Sequence, residues 1–135
     1  KVEDIKNIKP KILLIDDDKW LTDLYEEKLQ KEGFSFFSAS NGREGLKIVS
    51  IYRPDLILLD VVMPKEDGLS VLKKIKNNPE TKDIPVLMLT NLNNETDKEY
   101  CSQLGADDYL VKVYYTPNEV VQKIRRYLKD KIKRE

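Results

Sequence analysis

The chain has 135 residues, which predicts a single domain, because two domains of half that length would each lack a sizeable hydrophobic core. Its 24 basic and 24 acidic side chains cancel, so the sequence lacks the overall positive charge of a protein that binds nucleic acid directly. No apolar run approaches the ~18 residues of a membrane span, and a single cysteine suits a reducing compartment, so we expect a cytoplasmic protein without membrane contact.

The first part of the chain alternates strand and helix patterns. Lys11–Ile15 is a continuous apolar run, which is typical of a strand buried on both faces of a parallel sheet. A helix follows and is predicted to end at Gly33. Phe34–Ala39 predicts a second, weaker strand, and Asn41 is the predicted N-cap of a second helix. The inward face of the first helix is formed by Leu21, Leu24, Tyr25 and Leu29.

The same alternation continues through the second half. Three further apolar runs predict strands at Leu56–Leu59, Val86–Leu89 and Tyr109–Val111. Asp67 is the predicted N-cap of a third helix, and a fourth, polar helix is predicted over residues 95–104. The helices therefore fill the gaps between successive strands.

The last helix has the strongest start signal in the sequence. Thr116 is a favourable N-cap, and Pro117 suits the first helical position because it has no N–H that would need an acceptor there. Glu119 lies three residues after Thr116 and completes a capping box. We therefore expect the helix to begin at this point.

Five strand–helix units in series predict an α/β fold in which helices cover both faces of a parallel sheet. The domain is predicted to span residues 11–128, after a polar lead-in at residues 1–10. Residues 129–135 are interpreted as the basic end of the last helix or the start of a linker. Because cations are favourable near a helix C-terminus, a solvated helix end is preferred to a nucleic-acid patch.

Polar residues directly follow four of the predicted strands. In an open α/β sheet, ligands bind outside the carboxyl ends of the strands, so these side chains are expected to converge. Any one of them alone would be typical of a turn, a helix cap or the surface. Their joint placement favours one site. The residues concerned are Asp16, Asp17, Asp18, Asp60, Thr90 and Lys112.

Carboxylates that crowd one edge of a sheet repel one another, which raises the cost of keeping all of them ionised. A bound Mg²⁺ relieves that repulsion, and it takes one or two carboxylates, several waters and a phosphate oxygen. The sequence contains no histidine, so carboxylates, a lysine and hydroxyls must carry the chemistry. The pattern therefore predicts a magnesium site that also receives a phosphate group.

At this point the motifs resemble the receiver domain of two-component response regulators, over about residues 11–128. The resemblance implies a flavodoxin-like, doubly wound sheet of five parallel strands in the order 2-1-3-4-5, with five helices. The segments that carry it are Ile12–Asp18, Pro54–Pro64, Asp67-Gly68, Pro85–Thr90 and Gly105–Lys112.

The resemblance also implies roles for the acidic residues. Asp60 would be the phosphoacceptor and also one of the metal ligands. Asp17 would be the main Mg²⁺ ligand, with Asp16 holding the ion directly or through water. The backbone carbonyl of Val62 would be a further protein ligand.

Three other residues take their roles from the same resemblance. Lys112 would pair with one phosphoryl oxygen, and the Thr90 hydroxyl would donate a hydrogen bond to another. Tyr109 occupies the position of the aromatic switch residue. We hypothesise that Thr90 moves toward the phosphoryl group and that the Tyr109 ring turns into the vacated space, so that the face of the fourth helix, fifth strand and fifth helix rearranges.

The partners implied are a histidine kinase or phosphotransfer protein and an output partner or domain that the sequence does not identify. The face of the fourth helix, fifth strand and fifth helix is also a candidate homodimer surface. The resemblance implies no enzyme activity beyond self-phosphorylation and self-dephosphorylation. One departure is Val113, which stands where the family usually has a proline after the lysine. Because a cis peptide before a residue other than proline is costly, we predict a trans bond between Lys112 and Val113.

Two alternatives remain open. A small Asp-dependent phosphohydrolase of the haloacid-dehalogenase type would use Asp16 as its nucleophile, with Asp18 nearby, but it leaves Asp60 unexplained. A receiver-like interaction module that is never phosphorylated would not need the full set of site residues, although the missing proline is compatible with it.

Overall fold

The computed structural model describes residues 8–134, with side chains described through residue 130, so most of the polar lead-in lies outside the described residues. Five parallel strands form one sheet in the order β2-β1-β3-β4-β5, which confirms the predicted α/β class and the strand order implied by the resemblance. No helix in this part of the chain is long and apolar enough to cross a bilayer. The elements are β1 (Lys11–Ile15), α1 (Lys19–Lys31), β2 (Ser35–Ala39), α2 (Gly42–Tyr52), β3 (Leu56–Leu59), α3 (Gly68–Lys76), β4 (Val86–Thr90), α4 (Glu95–Gln103), β5 (Asp108–Val111) and α5 (Pro117–Arg134).

The register of the central strands places the ends of β1 and β3 side by side. In the parallel pair β1–β3, Ile15 lies opposite Leu59, so the residues that follow, Asp16 and Asp60, leave the sheet next to each other. The same pairing joins the two strands residue by residue from Ile12 onward. The apolar runs that define the strands therefore also position two carboxylates.

Alternate residues of each strand face two separate hydrophobic cores, as side-chain alternation along a strand requires. One core lies beneath α2, α3 and α4 and includes Leu13, Ile57 and Met88. The other lies beneath α1 and α5 and includes Leu14 and Leu58. Both faces of the sheet are therefore covered, which is why the strands are almost uniformly apolar.

Each α-helix begins at a side chain that accepts a hydrogen bond from the first turn. The predicted caps Asn41, Asp67 and Thr116 are confirmed, and Thr116 and Glu119 form the reciprocal capping box, at 2.9 and 3.2 Å. The remaining caps, at the starts of α1 and α4, are Asp18 and Asn94. Their side chains accept from Leu21 N at 3.2 Å and from Asp97 N at 2.9 Å.

Three strand boundaries differ from the sequence prediction: β2 begins one residue later, at Ser35, and two strands are longer than predicted. β4 includes Thr90, which lies opposite Val111 on β5 and is fully buried. β5 begins at Asp108, whose Cα pairs with Leu87. Both extensions arise from pairing with a neighbouring strand, which local residue preferences do not report.

The segment after β5 is a single turn of 3-10 helix, Lys112–Tyr114. No peptide bond in residues 8–134 is cis, so the prediction of a trans bond between Lys112 and Val113 is confirmed. The turn is closed by a hydrogen bond from Tyr115 N to Lys112 O at 3.4 Å. It accommodates the residues between the lysine and α5 without a proline.

The N-terminus of α3 packs directly on the end of β3 and requires glycine there. A Cβ added at Gly68 would lie 2.0 Å from the backbone oxygen of Asp60. Gly68 N also donates to Val61 O at 2.7 Å, which holds the two segments together. The glycine therefore fixes the backbone that carries the Asp60 carboxylate.

We expect Gly68→Ala to lower the free energy of unfolding by about 2 kcal/mol or more, because the clash is with backbone that cannot move aside cheaply. Gly33→Ala is the matched control: Gly33 has φ +93 but no atom within 4 Å of an added Cβ, so only left-handed strain of about 1 kcal/mol is expected. Urea unfolding measures both. Equal losses for the two variants would contradict this interpretation.

Candidate functional site

The predicted site residues lie together at the carboxyl edge of the sheet. Asp16 and Asp60 follow β1 and β3, and both are almost completely buried, at 2% and 5% exposure. Thr90 ends β4, and Lys112 directly follows β5. The structure thus gathers groups that are up to 96 positions apart in the sequence, counted from residue 16 to residue 112, at one edge of the sheet.

Three carboxylates form a cluster that could hold a metal ion. One oxygen from each of Asp16, Asp17 and Asp60 lies within 4.8 Å of the others. Asp17 is exposed, so the cluster opens to solvent on that side. The structure thus brings three of the predicted Mg²⁺ ligands together, and their binding of the ion, like that of the Val62 carbonyl, stays a prediction.

Lys112 connects two of these carboxylates. Its Nζ lies 2.8 Å from Asp16 Oδ2 and 3.3 Å from Asp60 Oδ2, and its side chain is only 14% exposed. Burial by itself would lower the pKa of Lys112, but the contacts with the two carboxylates outweigh burial and raise it. The lysine is therefore a fixed cation between the two aspartates at neutral pH.

The Asp16 carboxyl carries the strongest electrostatic conflict. Burial raises its pKa above the ordinary value of 3.8, and the nearby Asp60 charge adds to the rise, although the Lys112 contact opposes it. Asp16 Oδ2 is buried and has no hydrogen bond within the described residues, because its contact with Lys112 is an ion pair without hydrogen-bond geometry. A buried carboxylate oxygen that lacks a hydrogen bond and lies beside two further carboxylates fits a hard divalent cation.

Backbone amides orient both buried carboxylates. Asp16 Oδ1 accepts from Asp18 N at 2.9 Å, and Asp60 Oδ1 accepts from Val62 N at 3.3 Å. The second oxygen of each carboxylate is the one that approaches Lys112. The two side chains are thus held in place before any ligand arrives.

Thr90 and Tyr109 are linked through the loop after β4. Thr90 Oγ1 accepts a hydrogen bond from Leu92 N at 3.3 Å, and the Tyr109 hydroxyl donates to Leu92 O at 2.9 Å. Burial raises the pKa of Tyr109 to about 12, so the hydroxyl keeps its proton. Tyr109 is only 9% exposed, so its side chain lies inward.

Three features of this region have no signal in the local sequence. Gly68 belongs to a recognisable motif, but the motif does not show that this glycine lets α3 approach Asp60. The hydrogen bond from Tyr109 to Leu92 and the one from Asn93 to Tyr114 each join segments that are distant in the sequence.

The family model described as the response regulator receiver domain matches residues 12–125. Among curated proteins, the chain is 39% identical over 119 residues to the alkaline phosphatase synthesis transcriptional regulatory protein PhoP of Bacillus subtilis (strain 168), covering 88% of this chain and 48% of that protein. It is 44% identical over 121 residues to the transcriptional regulatory protein CpxR of Escherichia coli (strain K12), covering 88% and 49%. The chain thus spans about half the length of these curated relatives.

Solved structures show the same similarity over nearly whole chains. A CheY-like response regulator receiver domain protein from Methanospirillum hungatei JF-1 superposes with a TM-score of 0.88 at 25% identity, covering 95% of this chain and 100% of that one. Chemotaxis protein CheY4 of Vibrio cholerae superposes with a TM-score of 0.83 at 29% identity, covering 89% and 99%.

The electrostatic conflict at Asp16 has a testable effect on stability. Because its pKa is raised in the folded chain, its ionised form is disfavoured there, and stability falls as pH rises from 3.8 through the raised pKa. In EDTA at pH 7 we expect Asp16→Asn to raise the free energy of unfolding, and the gain to disappear below pH 3.8, where Asp16 is protonated in both states.

We expect Mg²⁺ to reverse the order of stability, so that the unmodified chain becomes more stable than Asp16→Asn. At about 100 times its Kd, a ligand that binds only the folded chain stabilises it by about 2.7 kcal/mol, and Asp16→Asn should lose much of this gain. Thermal unfolding with EDTA or with Mg²⁺ measures both effects. A variant that is less stable than the unmodified chain in EDTA at pH 7 would contradict the electrostatic interpretation.

Proposed function

Because this chain belongs to the response regulator receiver domain family of two-component systems, we propose that Asp60 is its phosphoacceptor. The observation that carries the proposal is the Asp60 carboxylate, buried, oriented by Val62 N and lying 3.3 Å from the Lys112 ammonium. Receiver domains in general are not enzymes, and we propose that this one only catalyses its own phosphorylation and dephosphorylation.

Phosphoryl transfer requires mainly that groups be positioned and that charge be neutralised. An oxygen of Asp60 attacks the phosphorus in line, the new O–P bond forms as the P–N bond to the donor histidine breaks, and the bonding electrons leave with the imidazole. Lys112 offsets negative charge on one phosphoryl oxygen. The Thr90 hydroxyl donates to another, because its oxygen accepts from Leu92 N and its own proton has no acceptor among the side chains described.

Receiver domains bind Mg²⁺ in general, and the residues of this chain fit that ion. We propose that Asp16 and Asp17, with the Val62 carbonyl, hold it next to Asp60. Asp16 Oδ2 supports this assignment, because it is buried and has only the ion-pair contact with Lys112, and a buried carboxylate oxygen without a hydrogen bond is costly. When bound, the ion supplies neutralisation of charge on the phosphoryl oxygens.

The donor is proposed to be a histidine kinase or a phosphotransfer protein. Three exposed apolar side chains lie just beyond the strands that carry the site: Trp20 after β1, Val62 after β3 and Val113 after β5, at 72%, 58% and 77% exposure. A donor that reaches a phosphoacceptor buried at 5% exposure must cover this part of the surface. Their exposure at the edge of the sheet that carries Asp60 supports this edge as the surface that the donor contacts.

The output is proposed to lie on the face formed by α4, β5 and α5. The phosphoryl group adds up to about two negative charges near the end of β3. Thr90 and Tyr109 are both hydrogen-bonded to Leu92. They therefore connect that end of the sheet to the loop before α4. Phosphorylation would shift the population between two arrangements of this loop, and a partner, an output domain or a second copy would bind one of them.

Incubation with a small acyl-phosphate donor and Mg²⁺ should add one phosphoryl group, measured by intact mass. Asp60→Asn should abolish the addition, because the nucleophilic oxygen is gone. Asp67→Asn is the matched control: it replaces another aspartate with a residue that caps a helix equally well, and it should label normally. Labelling that survives Asp60→Asn but is lost in Asp16→Asn would favour the phosphohydrolase alternative, and no labelling at all would favour an unphosphorylated module.

A second experiment tests the nature of the donor. Trp20→Ala should slow phosphorylation by a phosphohistidine protein about fivefold or more, because a buried tryptophan anchor at an interface is worth more than about 1 kcal/mol, and Val113→Ala should slow it by a smaller factor. Phosphorylation by the small donor should be unchanged. Ile51→Ala on α2 is the control, because Ile51 is also apolar and 62% exposed but lies outside this edge of the sheet. Equal slowing with both donors would contradict the proposal that these side chains contact the donor protein.

A further inference from the structure

Two loops at the carboxyl edge of the sheet are joined by side-chain hydrogen bonds. Residues 91–94, called here the β4 loop, connect Thr90 to α4. Residues Lys112–Tyr114, called here the lysine turn, follow β5. The β4 loop directly follows Thr90, and the lysine turn begins at Lys112. The relative position of the two loops therefore determines how the Thr90 and Lys112 side chains are placed at the proposed phosphoryl site.

On the side that faces the core, the β4 loop is held by the hydrogen bonds of Leu92. Leu92 N donates to Thr90 Oγ1 at 3.3 Å, and Leu92 O accepts from the buried Tyr109 hydroxyl at 2.9 Å. Leu92 is also partly buried against the core beneath α2, α3 and α4. The orientation of the Thr90 hydroxyl is therefore coupled to the backbone of the next two residues.

On the side that faces solvent, the same loop is held by a hydrogen bond to the lysine turn. Asn93 Nδ2 donates to the Tyr114 hydroxyl oxygen at 2.9 Å. The Tyr114 ring is 64% exposed, so it contributes little to the core. Because Tyr114 ends the turn that begins at Lys112, this bond joins the loop of the threonine to the turn of the lysine.

Resting on the proposed function, we propose that Tyr114 is a positioning residue for phosphoryl transfer to Asp60. By holding Asn93, its hydroxyl keeps the β4 loop closed against the lysine turn. The Thr90 hydroxyl and the Lys112 ammonium are then placed together before the phosphoryl group arrives. Neither Tyr114 nor Asn93 touches the phosphoryl group.

The test is a double-mutant cycle with Tyr114→Phe, Asn93→Ala and the double variant, each phosphorylated by a small acyl-phosphate donor with Mg²⁺. Each single variant should slow the rate about two- to tenfold, the range that one lost hydrogen bond allows, and the double variant should be no slower. The Mg²⁺ concentration that gives half the maximal rate should stay unchanged, because the carboxylates are untouched. General damage to the fold would change that concentration as well.

A structural readout accompanies the kinetics. Hydrogen exchange of the Leu92 amide should be faster in Tyr114→Phe, because the loop that holds this amide against Thr90 is released. Tyr100→Phe is the control: Tyr100 lies on α4, is 46% exposed, and its hydroxyl makes no hydrogen bond within the described residues. It should leave both the rate and the exchange unchanged.

An unchanged rate in Tyr114→Phe, or slowing that multiplies in the double variant, would overturn the positioning role. These results would leave the proposed function intact, because the unmodified chain would still be phosphorylated. Failure of the unmodified chain to form an acyl phosphate would instead overturn the proposed function itself. The two failures are therefore distinguishable in one set of measurements.

Discussion

The contact of the Lys112 ammonium with the Asp16 and Asp60 carboxylates is the constraint on which the site depends. Burying charges is costly unless they are paired, and here one cation is shared between two anions, with Asp17 close by. The lysine only partly offsets the cost of burying these charges: burial first, and then the Asp60 charge, keep the pKa of Asp16 raised, and one of its oxygens has no hydrogen bond. A site left short of positive charge in this way is suited to a divalent cation and, with it, a phosphoryl group.

The sheet makes this arrangement possible by fixing the backbone around it. In-register pairing of β1 and β3 places Asp16 beside Asp60, and the absence of a side chain at Gly68 lets α3 pack on the end of β3. Amide donors from Asp18 and Val62 then orient the carboxylates. Stability and function are opposed here, because two buried carboxylates share a single lysine at this end of the sheet.

A second layer of contacts connects the site to the rest of the surface. Tyr109 from inside and Tyr114 from outside both hold the short loop that follows Thr90. A conformational response to phosphorylation depends on how firmly this loop is held. A change of a few hydrogen bonds is enough to shift the population between its two arrangements.

The sequence by itself determined the strand–helix order, the helix caps at Asn41, Asp67 and Thr116, and the identity of the polar residues at the strand ends, because apolar runs and capping preferences are local properties of the chain. Its resemblance to receiver domains supplied the strand order and the proposed roles. The tertiary structure alone decided that Thr90 is fully buried within β4 and that Tyr109 lies inward. It also decided that one buried oxygen of Asp16 has no hydrogen bond and that Asn93 donates a hydrogen bond to Tyr114. Each of these depends on distances between segments far apart in the chain, and such distances exist only once the sheet has assembled.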